Sequence, residues 1–232
     1  MKIFSAVLLL LAFAVSPAHA RPEVKEVVAA LEEGYRSLKD VEARFTQRSM
    51  VAGIGREQRG EGEMALKKGS SGSAMFRFDY RKPEPQQIIF NGKTVWLYQP
   101  AARQVVVSSA EGLLQGEAGL AISYLTGLGS ISRDFTPSWG QEGGADYVID
   151  LVPKRQGGVL QKLRLTVSAK AVDAYLRDGK VQDPFPVLSS AVYDRQGNRN
   201  VMDFSRVRAN RGIDSSRFNF RVPDGVQVLQ NQ

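Results

Sequence analysis

The sequence of 232 residues contains no cysteine, and its single histidine, His19, lies near the amino terminus. Without cysteine the chain forms no disulfide, offers no thiol nucleophile and has no cysteine of its own to carry a lipid anchor. With only one histidine, it is also poor in the side chain that often holds zinc or transfers protons near neutral pH. We therefore predict no catalytic residue, no metal site and no cofactor, and expect the function to lie in a surface or a cavity.

Long apolar runs are also missing, apart from one at the start. Lys2 precedes an almost wholly apolar stretch over residues 3–15, and the small-residue pattern Ala18-His19-Ala20 follows. This pattern is typical of a secretory signal peptide, and the run is shorter than the roughly 20 apolar residues of a spanning helix. We expect residues 1–20 to be removed and residues 21–232 to form one domain outside the cytoplasm. Export makes nucleic acid an unsuitable partner, although the net charge is +7.

Hydrophobic periodicity predicts one helix at the start of the remaining chain. Apolar residues recur at helical spacing from Val24 to Leu38, and Pro22 stands where a helix start tolerates it. Farther along, the period changes to two, which predicts half-buried antiparallel strands with one apolar face each. The predicted strands cover residues 41–46, 63–67, 76–80, 87–90, 93–98, 147–152, 160–167, 190–194, 200–207 and 218–222.

Two connections between these strands are distinctive. Asn91-Gly92 separates two predicted strands, and this dipeptide is typical of a type I′ hairpin turn. Residues 170–186 have the character of a long insertion between strands, with Asp178-Gly179 as a candidate turn. Within that insertion, Pro184-Phe185-Pro186 opposes regular structure.

The segment over residues 110–130 is apolar but does not alternate like a strand. It carries five glycines, and each interior glycine costs a helix about 1 kcal/mol relative to alanine. A helix of this kind is marginal by itself, so packing has to hold it and little energy releases it. We predict a movable helical lid whose apolar residues are Leu113, Leu114, Leu120, Ile122 and Leu125.

The remaining candidate site is a set of apolar residues at alternating positions of successive strands. Each of them taken singly fits an ordinary core. Taken together, they describe an apolar face that one sheet and one or two helices would leave concave beneath the lid. The residues of this predicted apolar face are Phe45, Met64, Leu66, Phe76, Phe78, Tyr80, Trp96 and Tyr98.

Asp146 and Asp150 leave an enzymatic alternative open. Residues four apart on a strand share a face, but they lie about 13 Å apart, farther than the carboxylates of glycosidases. Partners from elsewhere in the fold would still be needed to form an acid pair. A carboxylate-dependent hydrolase would show acids that converge in a cleft and have shifted pKa values.

Several segments, in order and spacing, resemble one known family. The run ARFTQ at 43–47 is similar to the family's F-T-Q strand, and residues 218–226 are similar to its F-x-F-x-x-P-x-G-V close. The most specific run is NGKTVWLYQP at 91–100, which resembles the family's D-G-K-T-L-W-F-Y-N-P. The family is that of the outer-membrane lipoprotein carriers of LolA type, and the resemblance covers nearly all of residues 21–232.

The resemblance implies a mainly β (α+β) fold, a strongly curved, unclosed antiparallel β-barrel or half-barrel with an amino-terminal amphipathic helix and a helical lid. It implies a periplasmic carrier whose apolar cavity binds the acyl chains of lipoproteins. Its expected partners are acylated lipoproteins, an inner-membrane lipoprotein-releasing ABC transporter and an outer-membrane acceptor. The family binds no cofactor and catalyses no reaction, and we expect a monomer. A lipid- or lipoprotein-sensing periplasmic protein of related fold is the alternative.

One position departs from the family's pattern. Members often carry Arg-Pro after the second strand, and that arginine is tied to the closed lid and to cargo release. Lys68 stands at the matching position here, and Gly69 follows it in place of proline. Lys68 is therefore the candidate latch, but an ammonium group lacks the planar fork with which a guanidinium grips carbonyl groups.

Overall fold

The computed structural model describes residues 21–53, 55–69, 74–109, 130–141, 144–155 and 158–230. Within these residues one twelve-stranded sheet is accompanied by three α-helices and one 3₁₀ turn. None of the three described α-helices has the length and apolar composition of a membrane-spanning helix. The predicted signal peptide and the predicted lid residues Leu113, Leu114, Leu120, Ile122 and Leu125 lie outside the described residues.

The sheet confirms the mainly β, unclosed architecture. Its strands are β1 Asp40–Met50, β2 Glu57–Lys68, β3 Ala74–Lys82, β4 Gln86–Phe90, β5 Thr94–Gln99, β6 Gln104–Ser109, β7 Phe135–Trp139, β8 Tyr147–Pro153, β9 Leu160–Val167, β10 Val187–Asp194, β11 Arg199–Ala209 and β12 Gln227–Gln230. Their order is β12-β6-β5-β4-β3-β2-β1-β11-β10-β9-β8-β7, so two antiparallel meanders meet where β1 pairs with β11. Among the described strands β7 and β12 are the two edges, and they do not pair with each other.

The predicted amphipathic helix is confirmed as α1, Val24–Ser37. At its start the Glu23 N–H donates to the Glu26 carboxylate across 2.7 Å, as in a capping box. Its apolar stripe packs against one face of the sheet, which we call the inner face. The same core cluster includes Val95 of β5 and Phe135 of β7, which lie far apart in the strand order. The sheet therefore wraps around this helix.

Two further helices follow, α2 at Ile131–Asp134 and α3 at Ala169–Asp178. The predicted insertion at residues 170–186 therefore contains a helix. Ser168 caps the start of α3 with its side-chain oxygen, and Gly179 ends the helix with a φ of 65°. The Asp-Gly signal is thus a helix end, where the left-handed conformation suits glycine, and not a turn between strands.

The hairpin between β4 and β5 is confirmed, but the predicted type I′ turn is wrong. The Asn91 N–H donates to the Thr94 carbonyl across 3.3 Å, so Gly92 and Lys93 occupy the two central positions. A type I′ turn needs a positive φ at both central residues. Gly92 has a φ of 96°, but Lys93 is not among the described residues with positive φ. Asn91 Oδ1 accepts the Lys93 and Thr94 N–H groups, which keeps Asn91 at the entry of the turn.

The predicted strand at residues 218–222 is wrong. Ser215–Phe218 forms a 3₁₀ turn, and residues 219–222 have no regular structure. Phe218 is fully buried beside Ala65 on the side of the sheet opposite α1, which we call the outer face. Burial of this ring and capping of the turn by Asp214 hold the segment across the outer face. β12 then joins the sheet parallel to β6.

Candidate functional site

Six of the eight residues of the predicted apolar face lie on the inner face of the sheet. Met64 pairs with Phe78 and Leu66 pairs with Phe76 between β2 and β3. Directly paired residues point to the same side of a sheet, so the pairing brings these side chains together. The six residues, which we call the inner-face group, are Phe45, Met64, Leu66, Phe76, Phe78 and Tyr80.

Aromatic rings of the inner-face group contact one another edge to face. The ring centroid of Phe45 lies 5.7 Å from that of Phe78 and 4.9 Å from that of Tyr80. The Phe76 ring lies 5.9 Å from Phe78 and 5.2 Å from Phe90. These distances lie in the range where the quadrupoles of tilted rings attract each other. Together with Phe90, the aromatic members of the group therefore form a continuous surface across β1, β3 and β4.

Trp96 and Tyr98 lie on the outer face, so the prediction that grouped them with the other six is wrong. The pairing of β4 with β5 joins Phe90 to Val95, which turns Val95 inward and Trp96 outward. The rings of Trp96 and Tyr98 instead lie 6.2 and 5.3 Å from the ring of Phe220. Alternation gives every strand two faces, and only the register across the hairpin decides which of them is the inner one.

The apolar part of the inner face is covered in this structure. Five members of the inner-face group, all except Tyr80, are no more than 4% exposed. Phe185, which the sequence analysis did not assign to the site, packs in the same core with its ring 6.3 Å from Tyr35 of α1 and 5.7 Å from Phe204 of β11. The only sequence signal for it is an isolated aromatic residue between two prolines.

Lys68, the candidate latch, contacts α1. Its ammonium group donates to the backbone carbonyl of Tyr35 near the end of the helix, and burial lowers the pKa of Lys68. The side chain of Asn210 secures the same end, because it donates to the Ser37 carbonyl across 3.0 Å and accepts the Lys39 N–H across 2.7 Å. Lys68 therefore helps to hold α1 in place, while the predicted lid lies outside the described residues.

Tyr35 carries an unusual polar group into the core. Its hydroxyl is buried and has no hydrogen-bond partner within the described part of the chain. Burial also raises the pKa of Tyr35. A buried hydroxyl without a partner costs about 1–3 kcal/mol, so this position is energetically unfavourable as it stands.

An open cleft of about 600 Å³ lies at the end of the inner face that is away from Lys68. Here the inward-pointing residues change from apolar to polar. This cleft was not predicted from the sequence, although the change from apolar to polar residues is visible along the strands once the inner face is known. Its inward-pointing lining residues are Gln47, Ser49, Gln58, Gly60, Tyr80 and Gln86.

Asp146 and Asp150 have separate structural contacts. Asp146 accepts the Ala169 N–H at the start of α3 across 3.1 Å. Arg164 at 2.6 Å, and then Lys162 at 3.0 Å, hold the pKa of Asp150 below its usual range. A general acid at neutral pH needs the opposite shift. Within the described residues, no group of three or more acidic or histidine side chains is placed to hold a metal ion.

The comparisons with known proteins agree on one family. The family model for "Outer membrane lipoprotein carrier protein LolA" matches residues 36–221. The outer-membrane lipoprotein carrier protein of Azotobacter vinelandii is 33% identical over 232 residues, which cover 99% of this chain and all of that protein. Its counterpart in Pseudomonas aeruginosa PAO1 is 30% identical over 220 residues, covering 95% and 94%.

One solved structure of similar shape is the LolA superfamily protein NE2245 from Nitrosomonas europaea. It is 14% identical, has a TM-score of 0.40 and covers 85% of this chain and 97% of its own. Because this TM-score is below 0.5, the fold described above rests on the strand pairing of the chain itself.

Proposed function

This chain belongs to the LolA family of outer-membrane lipoprotein carriers, and we propose that it shelters lipoprotein acyl chains on the inner face of its sheet. The family and the curated relatives make it a lipoprotein carrier. We further propose that residues 1–20 direct it to the periplasm and that residues 21–232 act there as one domain. No cofactor and no catalytic residue belong to this proposal.

The observation that carries the proposal is the one-sided placement of the inner-face group beneath α1. Burial of an acyl chain contributes about 0.8 kcal/mol per CH₂, so a chain of about sixteen carbons contributes on the order of 12 kcal/mol when fully sheltered. Because the inner face is already covered, cargo has to displace protein groups from it. That displacement lowers the apparent affinity and allows the cargo to be released.

We propose that the lid, and not α1, is the part of the covering that moves. Lys68 and Asn210 hold the end of α1, and the carboxylate of Glu32 in its third turn accepts the Ser132 N–H across 2.8 Å. These contacts support a fixed helix. From the glycines in its sequence we infer that the lid needs little energy to move, and that its residues Leu113, Leu114, Leu120, Ile122 and Leu125 would replace acyl chains on the inner-face group when cargo leaves.

Lipoprotein cargo implies a donor and an acceptor membrane. We propose that the carrier receives acylated lipoproteins from an inner-membrane lipoprotein-releasing ABC transporter and passes them to an outer-membrane acceptor as a monomer.

The hydrolase alternative finds no support in Asp150, whose depressed pKa and two cationic partners suit a structural ion pair. The sensor alternative is not favoured either, because the relatives matched over most of the chain are named carriers.

The experiment compares two faces of the same sheet. An apolar fluorophore is bound to the purified protein and displaced with a synthetic triacylated lipopeptide. Phe76→Glu and the milder Tyr80→Glu place a charge on the inner face and should weaken lipopeptide binding at least about tenfold, and Phe76→Glu should weaken fluorophore binding by a similar factor. Tyr98→Glu places the same charge on the outer face and is the matched control. Wild-type binding by folded Tyr80→Glu, or an equal loss in Tyr98→Glu, would contradict the proposal.

A further inference from the structure

We propose that the polar cleft at the open end of the inner face binds the headgroup of the cargo, meaning the uncharged ester and amide groups that join the acyl chains to the lipoprotein. This inference rests on the proposed function and deepens it. The acyl chains would lie on the apolar part of the inner face, and the headgroup would occupy the cleft of about 600 Å³ at its end.

The first support is a polarity gradient along β1. Its inward-pointing residues are apolar from Val41 through Ala43 to Phe45, and then become Gln47 and Ser49. Here two polar residues extend the inner face past the buried part, into the cleft.

The neighbouring strands repeat the gradient in the same direction. On β3 the inward-pointing Phe76 and Phe78 precede Tyr80, and on β4 Ile88 is followed toward the same end by Gln86. Because adjacent strands share this order, the inner face as a whole has an apolar part and a polar end. An amphiphile with tails and a compact polar head matches such a surface in one orientation only.

The inward-pointing polar groups of the cleft are neutral hydrogen-bonding groups. Gln47 Nε2 donates to Asn200 Oδ1 across 2.9 Å, and Ser49 Oγ donates to the same oxygen across 3.0 Å. Burial raises the pKa of Tyr80 to about 12, so its hydroxyl remains a donor at neutral pH. Amides and hydroxyls of this kind suit ester and amide carbonyls, which carry no charge.

The charged residues of the cleft lie toward its rim. Arg59 pairs with Glu57 across 2.9 Å, and Arg199 approaches the same carboxylate at 3.9 Å. Arg56 is exposed at the entrance. Glu57 thus partly neutralises Arg59 of the cleft, while Arg199 approaches it from outside the lining, and the inward-pointing groups of the cleft remain uncharged.

Gly60 gives the cleft its floor. It faces inward opposite Gln47, and a Cβ placed there would have its nearest contacts at 3.4 Å, to Tyr80 Cε1 and to the Lys82 carbonyl. Its φ is not positive. Alanine therefore fits at this position without displacing its neighbours, whereas a larger side chain would extend into the cleft.

The test uses Gly60→Phe to fill the cleft and Gly60→Ala as the matched control. Affinity is measured for a synthetic triacylated lipopeptide and, separately, for an apolar fluorophore without a polar head. We expect Gly60→Phe to weaken lipopeptide binding about tenfold or more and to change fluorophore binding by less than about twofold. Gly60→Ala should stay within about twofold of wild type for both probes.

A second variant keeps the test valid if Gly60→Phe fails to fold. Gln86→Leu removes a polar group of the cleft from β4, and we expect about threefold weaker lipopeptide binding with unchanged fluorophore binding. Unchanged lipopeptide binding by a folded Gly60→Phe, equal losses for both probes, or preferential binding of anionic phospholipid vesicles would overturn the headgroup proposal. Failure of the wild type to bind the lipopeptide would instead overturn the carrier proposal.

Discussion

The unpaired hydroxyl of Tyr35 predicts that its removal stabilises the core around α1. Tyr35→Phe removes a buried polar atom that has no partner among the described residues and keeps the ring against Phe185. We expect the free energy of unfolding to rise by about 1 kcal/mol and the thermal midpoint by about 2–4 °C. Thermal unfolding followed by circular dichroism measures this. A lower midpoint would show that the hydroxyl makes a stabilising contact.

Asp150 makes a pH-dependent contribution to stability. Arg164, followed by Lys162, holds its folded-state pKa below the usual value near 4. The stabilisation is therefore fully present well above pH 4 and is lost below it, as the pH falls through the lowered folded-state pKa. We expect Asp150→Asn to lower the free energy of unfolding by about 1–2 kcal/mol at pH 7, and the difference from wild type to shrink as the pH falls below about 4.

Urea unfolding at pH 7 and at pH 3 measures this difference. Asp178→Asn is the control, because Asp178 lies at the exposed surface, where it pairs with Arg177 and accepts a long hydrogen bond from Gln182. Exposed pairs of this kind contribute little, so the control should match wild type at both pH values. A constant deficit of Asp150→Asn across the pH range would contradict the assignment.

The sequence predicted which face of the sheet a side chain lies on where the inner face of its strand was unambiguous. Phe45, Met64 and Phe76 were placed together because each stands at an alternating apolar position of its own strand. Trp96 and Tyr98 alternate just as regularly, yet they face outward. Their face depends on how the turn at Gly92 pairs β4 with β5, and periodicity within one strand holds no information about that pairing.

β2 reaches its neighbours closely enough that one glycine is required in its middle. A Cβ at Gly62 would lie 2.2 Å from the Asp79 carbonyl oxygen and 2.9 Å from Phe45 Cζ. Gly62→Ala therefore has to move β3 or the Phe45 ring, and we expect a loss of more than about 2 kcal/mol in the free energy of unfolding. Thermal unfolding measures it, with Gly60→Ala two residues away as the control. Equal midpoints for the two variants would refute the close approach.

Helices and strands differ in how far local pattern predicts them. α1 was predictable because its apolar stripe and the position of Pro22 both indicate a helix that begins near residue 24. α3 was missed because Asp178-Gly179 is compatible with both a helix end and a hairpin turn. In the structure it ends a helix. Residues 218–222 alternate like a strand, but Phe218 is buried against the outer face of the sheet, which holds the segment outside the strand pairing.

The assembly of the chain depends on contacts that no local pattern reveals. β1 pairs with β11, whose partner residues lie 149 to 168 positions later in the chain, and β12 pairs in parallel with β6 at one edge of the sheet. The short hairpins of each meander were predictable, because consecutive strands usually pair. The long pairing and the wrapping of the sheet around α1 entered the prediction only through the family resemblance. The polar end of the inner face follows from that assembly and therefore escaped the sequence analysis.

The most direct measurement of the central claim is where an acyl chain lies in the loaded carrier. A triacylated lipopeptide with a photoreactive group at the end of one chain is bound, irradiated and mapped by mass spectrometry. We expect saturable labelling of the inner face of β1 to β4, at peptides that contain Phe45, Met64 or Phe76. Labelling concentrated at Trp96, Tyr98 or Phe220 on the outer face, or labelling that does not saturate, would contradict the account.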